Sequence, residues 1–238
     1  MKTFGRVLTA MITSFNEDGS VNIENTVAIA EHLLNHGSDG LVVCGTTGEN
    51  PTISRESKIA LFKAIAETCG DKGTIIANVG SNDTKGSVDF VKEVSTIPGI
   101  DGLLVVVPYY NKPNQQGQYL HFKSIAEATT LPIMVYNVPG RVGTGIFPAT
   151  LARLHKEYPH ICAIKEASGN LMIASEIKRL MPGEDFMVYS GDDGLTLPIL
   201  SVGGTGVISV VSHVAGQDMN DMIAAFEEGK NQHNYIKN

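Results

Sequence analysis

Basic residues are in short supply in this 238-residue chain: 18 Lys and Arg stand against 25 Asp and Glu, for a formal charge of -7. A protein that neutralises nucleic-acid phosphates needs a concentrated cationic surface, which so few scattered cations do not supply. Long apolar runs are missing too. None reaches the roughly 20 residues of a membrane span. The stretch after Met1–Arg6 is broken by polar residues from Thr13 to Glu17, so no signal peptide is expected. Cysteine occurs three times, as Cys44, Cys69 and Cys162, without the C-x-x-C spacing of a zinc or redox site. Such usage fits free core thiols and a reducing cytoplasm. Neither G-x-G-x-x-G nor G-x-x-x-x-G-K-[ST] is present; the nearest approach, Gly80 to Gly86, has Lys85 ahead of its second glycine.

What the chain does have is alternation. Short β-branched runs alternate with longer amphipathic segments, without a linker, from the first residues almost to the last. Strands are predicted at Arg6–Thr13, Gly40–Gly45, Thr74–Gly80, Gly102–Pro108, Ile133–Asn137, Cys162–Glu166, Phe186–Ser190 and Gly206–Val210. Helices are predicted at Glu24–Asn35, Arg55–Cys69, Thr84–Ser95, Gly117–Ala128, Pro148–Lys156, Leu171–Met181 and Gln217–Glu228. Ser54 is placed to cap the second helix, and Asp83 or Asn82 the third. Strands separated by helices pair in parallel through right-handed crossovers, which a doubly wound sheet or a closed barrel would satisfy. Without a nucleotide-binding glycine motif the barrel is the better reading, an α/β chain forming a single (β/α)8 barrel domain over residues 1–238.

Barrel chemistry comes from the carboxyl ends of the strands. Those ends carry Gly45-Thr46-Thr47-Gly48-Glu49, Pro108-Tyr109-Tyr110-Asn111, Tyr136-Asn137-Val138-Pro139-Gly140-Arg141, Lys165-Glu166, Ser190-Gly191-Asp192-Asp193 and Gly206-Val207-Ile208-Ser209. Lys165 shares a strand face with Ile161 and Ala163, so it points into packed barrel. A free lysine is neutral in roughly one molecule in a few thousand at pH 7. Burial lowers its pKa and makes it a nucleophile toward a ketone. The plainer alternative is an ion pair with Glu166 or Asp192. Imine chemistry needs a proton relay, for which Tyr136, Thr47 and Tyr110 are suitably placed. It also needs donors for a carboxylate, which the Thr46-Thr47 amides and Arg141, one of five arginines, could supply. Each has a plainer role: an interface aromatic for Tyr110, a strand-end tyrosine for Tyr136, turn formers for the threonines.

With GTTGE at 45–49, PYYNKP at 108–113, YNVPGR at 136–141, IKEASGN at 164–170, SGDD at 190–193 and GVIS at 206–209, the chain resembles the dihydrodipicolinate synthase family. That family lies within the N-acetylneuraminate lyase superfamily of class I pyruvate aldolases. The resemblance covers essentially the whole chain. It implies that Lys165 forms an imine with pyruvate, that Tyr136 passes protons, and that Thr47 and Tyr110 complete the relay. It also implies that Thr46 holds the pyruvate carboxylate, that Arg141 receives that of L-aspartate-4-semialdehyde, and that the main chain of Ile208 lines the site. The product would be 4-hydroxy-tetrahydrodipicolinate, made with no metal or organic cofactor. Tyr110 would cross a subunit interface, in a homodimer or homotetramer in the cytoplasm, without nucleic-acid or membrane partners. Family members continue into further C-terminal helices, which are expected to be largely absent here, leaving a surface exposed.

Other readings are a sugar aldolase of the same superfamily, cleaving N-acetylneuraminate or a keto-deoxy sugar, and a silent barrel holding an anion at Gly203-Gly204-Thr205-Gly206. Arg141 favours a short aldehyde with a carboxylate over the first, and Lys165 inside a strand is unexplained by the second. His32 and His36, spaced i, i+4, lack a third ligand and read as a helix surface. Lysine-inhibited members of the family carry a histidine and a glutamate near the second and third helices, where this chain has Arg55, Lys58 and Gly86. Added cations repel an incoming ammonium. L-Lysine is therefore expected to inhibit the purified protein weakly or not at all, and a low-millimolar inhibition curve would refute the expectation.

Overall fold

A computed structural model of the chain describes residues 4–183 and 185–230. Eight parallel strands close into a barrel in sequence order, with β8 pairing back onto β1. They are β1 (Val7–Ala10), β2 (Gly40–Val43), β3 (Thr74–Asn78), β4 (Gly102–Val106), β5 (Ile133–Asn137), β6 (Ile161–Glu166), β7 (Met187–Ser190) and β8 (Gly206–Ser209). Around them run α1 (Ile23–Asn35), α2 (Arg55–Cys69), α3 (Thr84–Val94), α4 (Gln115–Ala126), α5 (Pro139–Val142), α6 (Pro148–Glu157), α7 (Leu171–Leu180), α8 (Thr196–Ser201) and α9 (Ser212–Glu227). Apart from Val106 at the end of β4, every strand residue is buried, as expected of a parallel sheet covered on both faces. The core lies between sheet and helices, where Phe62 of α2 and Phe122 of α4 are fully buried. Each such ring contributes about 1.5–3 kcal/mol by leaving water.

All eight predicted strands are found, but several are shorter than the apolar runs. β1, β2 and β4 end at Ala10, Val43 and Val106, and the apolar residues beyond them run on into loops, with the Met11 N–H still bonded to Val42 O (3.2 Å) and the Val107 N–H to Tyr136 O (3.0 Å). Helices α5 and α8 were not predicted, being too short to show a period. Helix α9 begins at Ser212 instead of Gln217, with non-helical backbone at Ala215 (φ -139°, ψ 37°). Ser54 caps α2 as expected, accepting from the Ser57 N–H at 3.1 Å. Asp83 occupies the cap position of α3 but makes no side-chain cap bond. Its own N–H donates to Ser81 Oγ, and the alternative, Asn82, donates across to the Tyr109 carbonyl.

The amino end of the barrel is fastened by carboxylates. Asp39 Oδ2 accepts from the N–H groups of Arg6 (2.7 Å) and Val7 (2.9 Å), and Asp101 Oδ2 accepts from Ile75 N–H (2.9 Å). Tyr189, fully buried, donates its hydroxyl to the Gly5 carbonyl at 2.8 Å. Ring closure leaves no room at the β8–β1 seam: a Cβ on Gly206 would lie 2.0 Å from the Arg6 carbonyl oxygen. Gly206→Ala is therefore expected to lose about 3 kcal/mol or more of stability. Urea unfolding monitored by circular dichroism reads this directly, and an unchanged midpoint would show that the seam is not tight.

Candidate active site

Lys165 lies near the carboxyl end of β6, only 7% exposed. It makes no salt bridge among the described residues. The carboxylates that could have paired with it are engaged elsewhere. Glu166 accepts from Asn137 Nδ2 (2.7 Å) and from the Ser168 N–H (2.6 Å), while Asp192 Oδ1 accepts from the Gly194 N–H (2.9 Å). Lys165 instead faces Tyr136, its register partner on β5, with Nζ 4.5 Å from the ring centroid. The lysine stem also needs Gly191, because a Cβ there would sit 3.2 Å from Lys165 Cε and 2.6 Å from Ala167 Cβ. Burial, with the Arg141 cation adding to it and Asp193 opposing, brings the lysine pKa down to about 8. Roughly a tenth of the amine is then neutral at pH 7.

Tyr136 is itself buried, which pushes its pKa up; a hydrogen bond from Thr46 and the nearby Arg141 pull it partly back. Of the two threonines expected near the site, Thr46 is thus the one whose side chain acts on the tyrosine. The physical reason lies in the turn after β2. Cys44 takes a left-handed backbone (φ 55°), as does Glu49 (φ 58°), and Asn78 Nδ2 grips the Cys44 carbonyl at 2.8 Å. The reversal is closed by Glu49 N–H to Thr46 O (3.1 Å) and Asn50 N–H to Gly45 O (3.3 Å). Non-glycine residues at positive φ cost about 1–3 kcal/mol each and collect at functional sites.

A cavity of about 610 Å³ opens beside this turn, lined by Thr46, Asn78, Tyr109, Tyr110, Tyr136 and Arg141 among others. The Tyr136 ring that carries Lys165 forms part of its wall; Thr47 and Lys165 do not line it. Tyr110, at φ 71°, is 89% exposed. Arg141 is presented by α5, which Pro139 starts and Gly143 (φ 76°) stops. Ile208 is buried on β8, paired with Leu8. Two polar residues escaped the sequence reading. Asn78 ends β3, only 6% exposed, with Oδ1 unpartnered among the described residues and its side chain on the cavity wall. An amide ending an apolar run was the signal. Asp193 was visible within SGDD but was given no role.

The remaining candidates lie elsewhere. Gly203 to Thr205 precede β8 and Gly206 begins it, at the barrel's amino end, and a Cβ at Gly204 would meet Ile199 Cγ2 at 2.5 Å, so tight packing accounts for that glycine. His32 and His36 stack at 4.0 Å on α1, and His36 Nδ1 is 2.7 Å from the His32 carbonyl. Among the described residues no group of three or more His, Cys, Asp or Glu could hold a metal, and no helix is long and apolar enough to cross a membrane. Arg55 donates to Glu93 at 2.6 Å and lies over Phe90, while burial lowers the pKa of Lys58.

Residues 3–237 match the model of the dihydrodipicolinate synthetase family. A 4-hydroxy-tetrahydrodipicolinate synthase of Desulforamulus reducens is 52% identical over 226 residues, 95% of this chain and 76% of the relative. One from Moorella thermoacetica shows the same identity and coverage. Among solved structures, a dihydrodipicolinate synthase of Bacillus anthracis superposes with a TM-score of 0.92 at 45% identity, over 97% of this chain and 78% of the other. The enzyme of Cyanidioschyzon merolae with lysine bound gives 0.92 at 44% identity, over 96% and 77%.

Keeping Lys165 buried costs stability. With a folded pKa near 8 against 10.5 unfolded, the folded state binds fewer protons between those values, so stability rises with pH across that window. Lys165→Met removes the penalty. It is expected to be about 3 kcal/mol more stable than the parent at pH 7, with the gap closing between pH 8 and 10.5. Denaturant titrations at several pH values check this, and a gap independent of pH would contradict it.

Proposed function

The chain belongs to the dihydrodipicolinate synthetase family, and from that premise we propose which of its residues carry the family's chemistry. The protein is a lyase that condenses pyruvate with L-aspartate-4-semialdehyde to 4-hydroxy-tetrahydrodipicolinate, a step in lysine and diaminopimelate biosynthesis. The observation that carries the assignment of residues is the buried Lys165, without a salt-bridge partner among the described residues and held on the Tyr136 ring.

In this reading the neutral Lys165 amine adds to C2 of pyruvate. The Tyr136 hydroxyl gives a proton to the departing oxygen, and loss of water leaves an iminium. Removal of a C3 proton yields the enamine that attacks the aldehyde. Thr46, whose side chain lowers the Tyr136 pKa and which lines the same cavity, hands protons to and from Tyr136. Tyr110 extends the relay toward a second subunit of a homodimer or homotetramer; its exposure and left-handed backbone suit a side chain that reaches outward. The Thr46-Thr47 amides and the Ile208 main chain receive the pyruvate carboxylate, and Arg141 on the cavity wall receives that of the semialdehyde. The imine nitrogen itself is the electron sink, so no metal or organic cofactor is required.

Incubation with pyruvate and borohydride, followed by peptide mapping, is expected to place the mass gain on Lys165; folded protein without an adduct there would refute the assignment. Thr46→Val is expected to lower kcat by about 100-fold, whereas Thr47→Val acts mainly on the KM for pyruvate. The reverse pattern would return the relay role to Thr47.

A further inference from the structure

Two segments beyond neighbouring strands share the cavity: Tyr109, Tyr110 and Lys112 line it after β4, and Arg141, Val142 and Gly143 line it after β5. They touch, since a Cβ at Gly143 would lie 2.7 Å from Lys112 Cε. Tyr110 and Lys112 take left-handed backbone (φ 71° and 45°), which persists only where neighbouring groups fix it.

Gln118 of α4, fully buried, reaches both segments. Its Nε2 donates to the Pro113 carbonyl at 3.1 Å in the first and to the Gly145 carbonyl at 3.2 Å in the second, with Thr144 Oγ1 at 3.4 Å. Among the described residues no other side chain bonds the two together. Gln115, one turn earlier, holds the second alone: its Nε2 donates to the Gly145 carbonyl (2.8 Å), and its Oε1 accepts from the Phe147 N–H (2.9 Å). Gln118 Oε1 is buried without a hydrogen-bond partner among the described residues. That is costly, and an apolar side chain of the same shape would avoid the cost. What a glutamine offers at this position is therefore its nitrogen.

Arg141 sits in the four-residue helix α5, and the segment it belongs to is tied in two directions. Toward β5, Asn137 Oδ1 accepts from the Ile146 N–H at 3.2 Å, and Asn137 Nδ2 runs on to Glu166, the neighbour of Lys165 on β6. Toward the Tyr110 segment, the tie is Gln118. The first relates Arg141 to the strands of the lysine, the second to the facing wall of the cavity.

We propose that Gln118 is a positioning residue for the second substrate: its buried amide clips the Arg141 segment to the Tyr110 segment and so sets the opening into which L-aspartate-4-semialdehyde fits. The proposal rests on Arg141 receiving the carboxylate of the semialdehyde. Pyruvate imine formation lies on the other tie and does not need the clip.

The test compares the parent with Q118M, Q118N, R141A and the double variant Q118M/R141A. Methionine keeps the shape and loses the donor; asparagine keeps the amide one methylene short of the two carbonyls. Folding is followed by circular dichroism and is expected to be retained, because Gln115 and Asn137 still hold Gly145 and Ile146. In Q118M and Q118N the KM for the semialdehyde is expected to rise about tenfold, with kcat within about threefold of the parent. The borohydride-trapped pyruvate adduct on Lys165 is expected to match the parent. With Arg141 removed, Q118M is expected to add no further rise, since both changes act through one guanidinium. A folded Gln118 variant with the parental KM, beside an R141A whose KM is raised, overturns the proposal. So does a rise of equal size in both backgrounds, a parallel loss of the pyruvate adduct, or failure of both Q118M and Q118N to fold, which would make Gln118 a residue of the fold alone. An R141A with the parental KM would instead overturn the role given to Arg141.

Discussion

Desolvation of one amine is the constraint around which the carboxyl end of this barrel is arranged. Lys165 is taken out of water without a salt-bridge partner among the described residues, and the sheet around it accommodates the loss piece by piece. Gly191 leaves space for the stem, the Tyr136 ring receives the nitrogen, and Asn137 with Ser168 occupies the Glu166 carboxylate that would otherwise quench it. Direct pairing would have restored an ordinary, protonated lysine. The arrangement instead yields an amine part-neutral near physiological pH, at a cost that close packing elsewhere offsets.

The strained turn after β2 serves the same centre from the other side. Left-handed backbone at Cys44 and Glu49 swings Thr46 onto Tyr136, and Asn78 holds the first of these bends through the Cys44 carbonyl. β3 therefore contributes a clasp to the site. The fastening carboxylates Asp39 and Asp101, and the Tyr189 hydroxyl, work at the opposite end of the strands. Rigidity and reactivity are separated along the barrel axis, so strain at one end does not loosen closure at the other.

Much of this was legible in the sequence because a buried parallel strand must be apolar throughout, and eight such runs stand out. Where strands stop was less legible: Met11 and Val107 are as apolar as the residues before them, and each still gives its N–H to a neighbouring strand although its own strand has ended. Lys165 could be read because a charge inside an apolar run has few explanations. The roles of Thr46 and Thr47 could not be separated, since identical neighbours differ only by the turn geometry, which the positive φ at Cys44 sets and which no composition rule foretells. Asp83 shows the limit of cap rules: the position was right, but the carboxylate makes no cap bond.

The three cysteines bear on how the protein can be handled. All are buried and unpaired, with burial holding the Cys44 thiol up to about 12 and that of Cys162 up to about 11, and raising that of Cys69 as well. Thiolate is the reactive form, and these side chains offer neither thiolate nor access. Maleimide and iodoacetamide probes are therefore expected to leave them unlabelled in the native fold. The wild-type chain is thus already a silent background, in which a single surface cysteine placed on a chosen loop would carry a fluorophore or spin label without first removing any native residue.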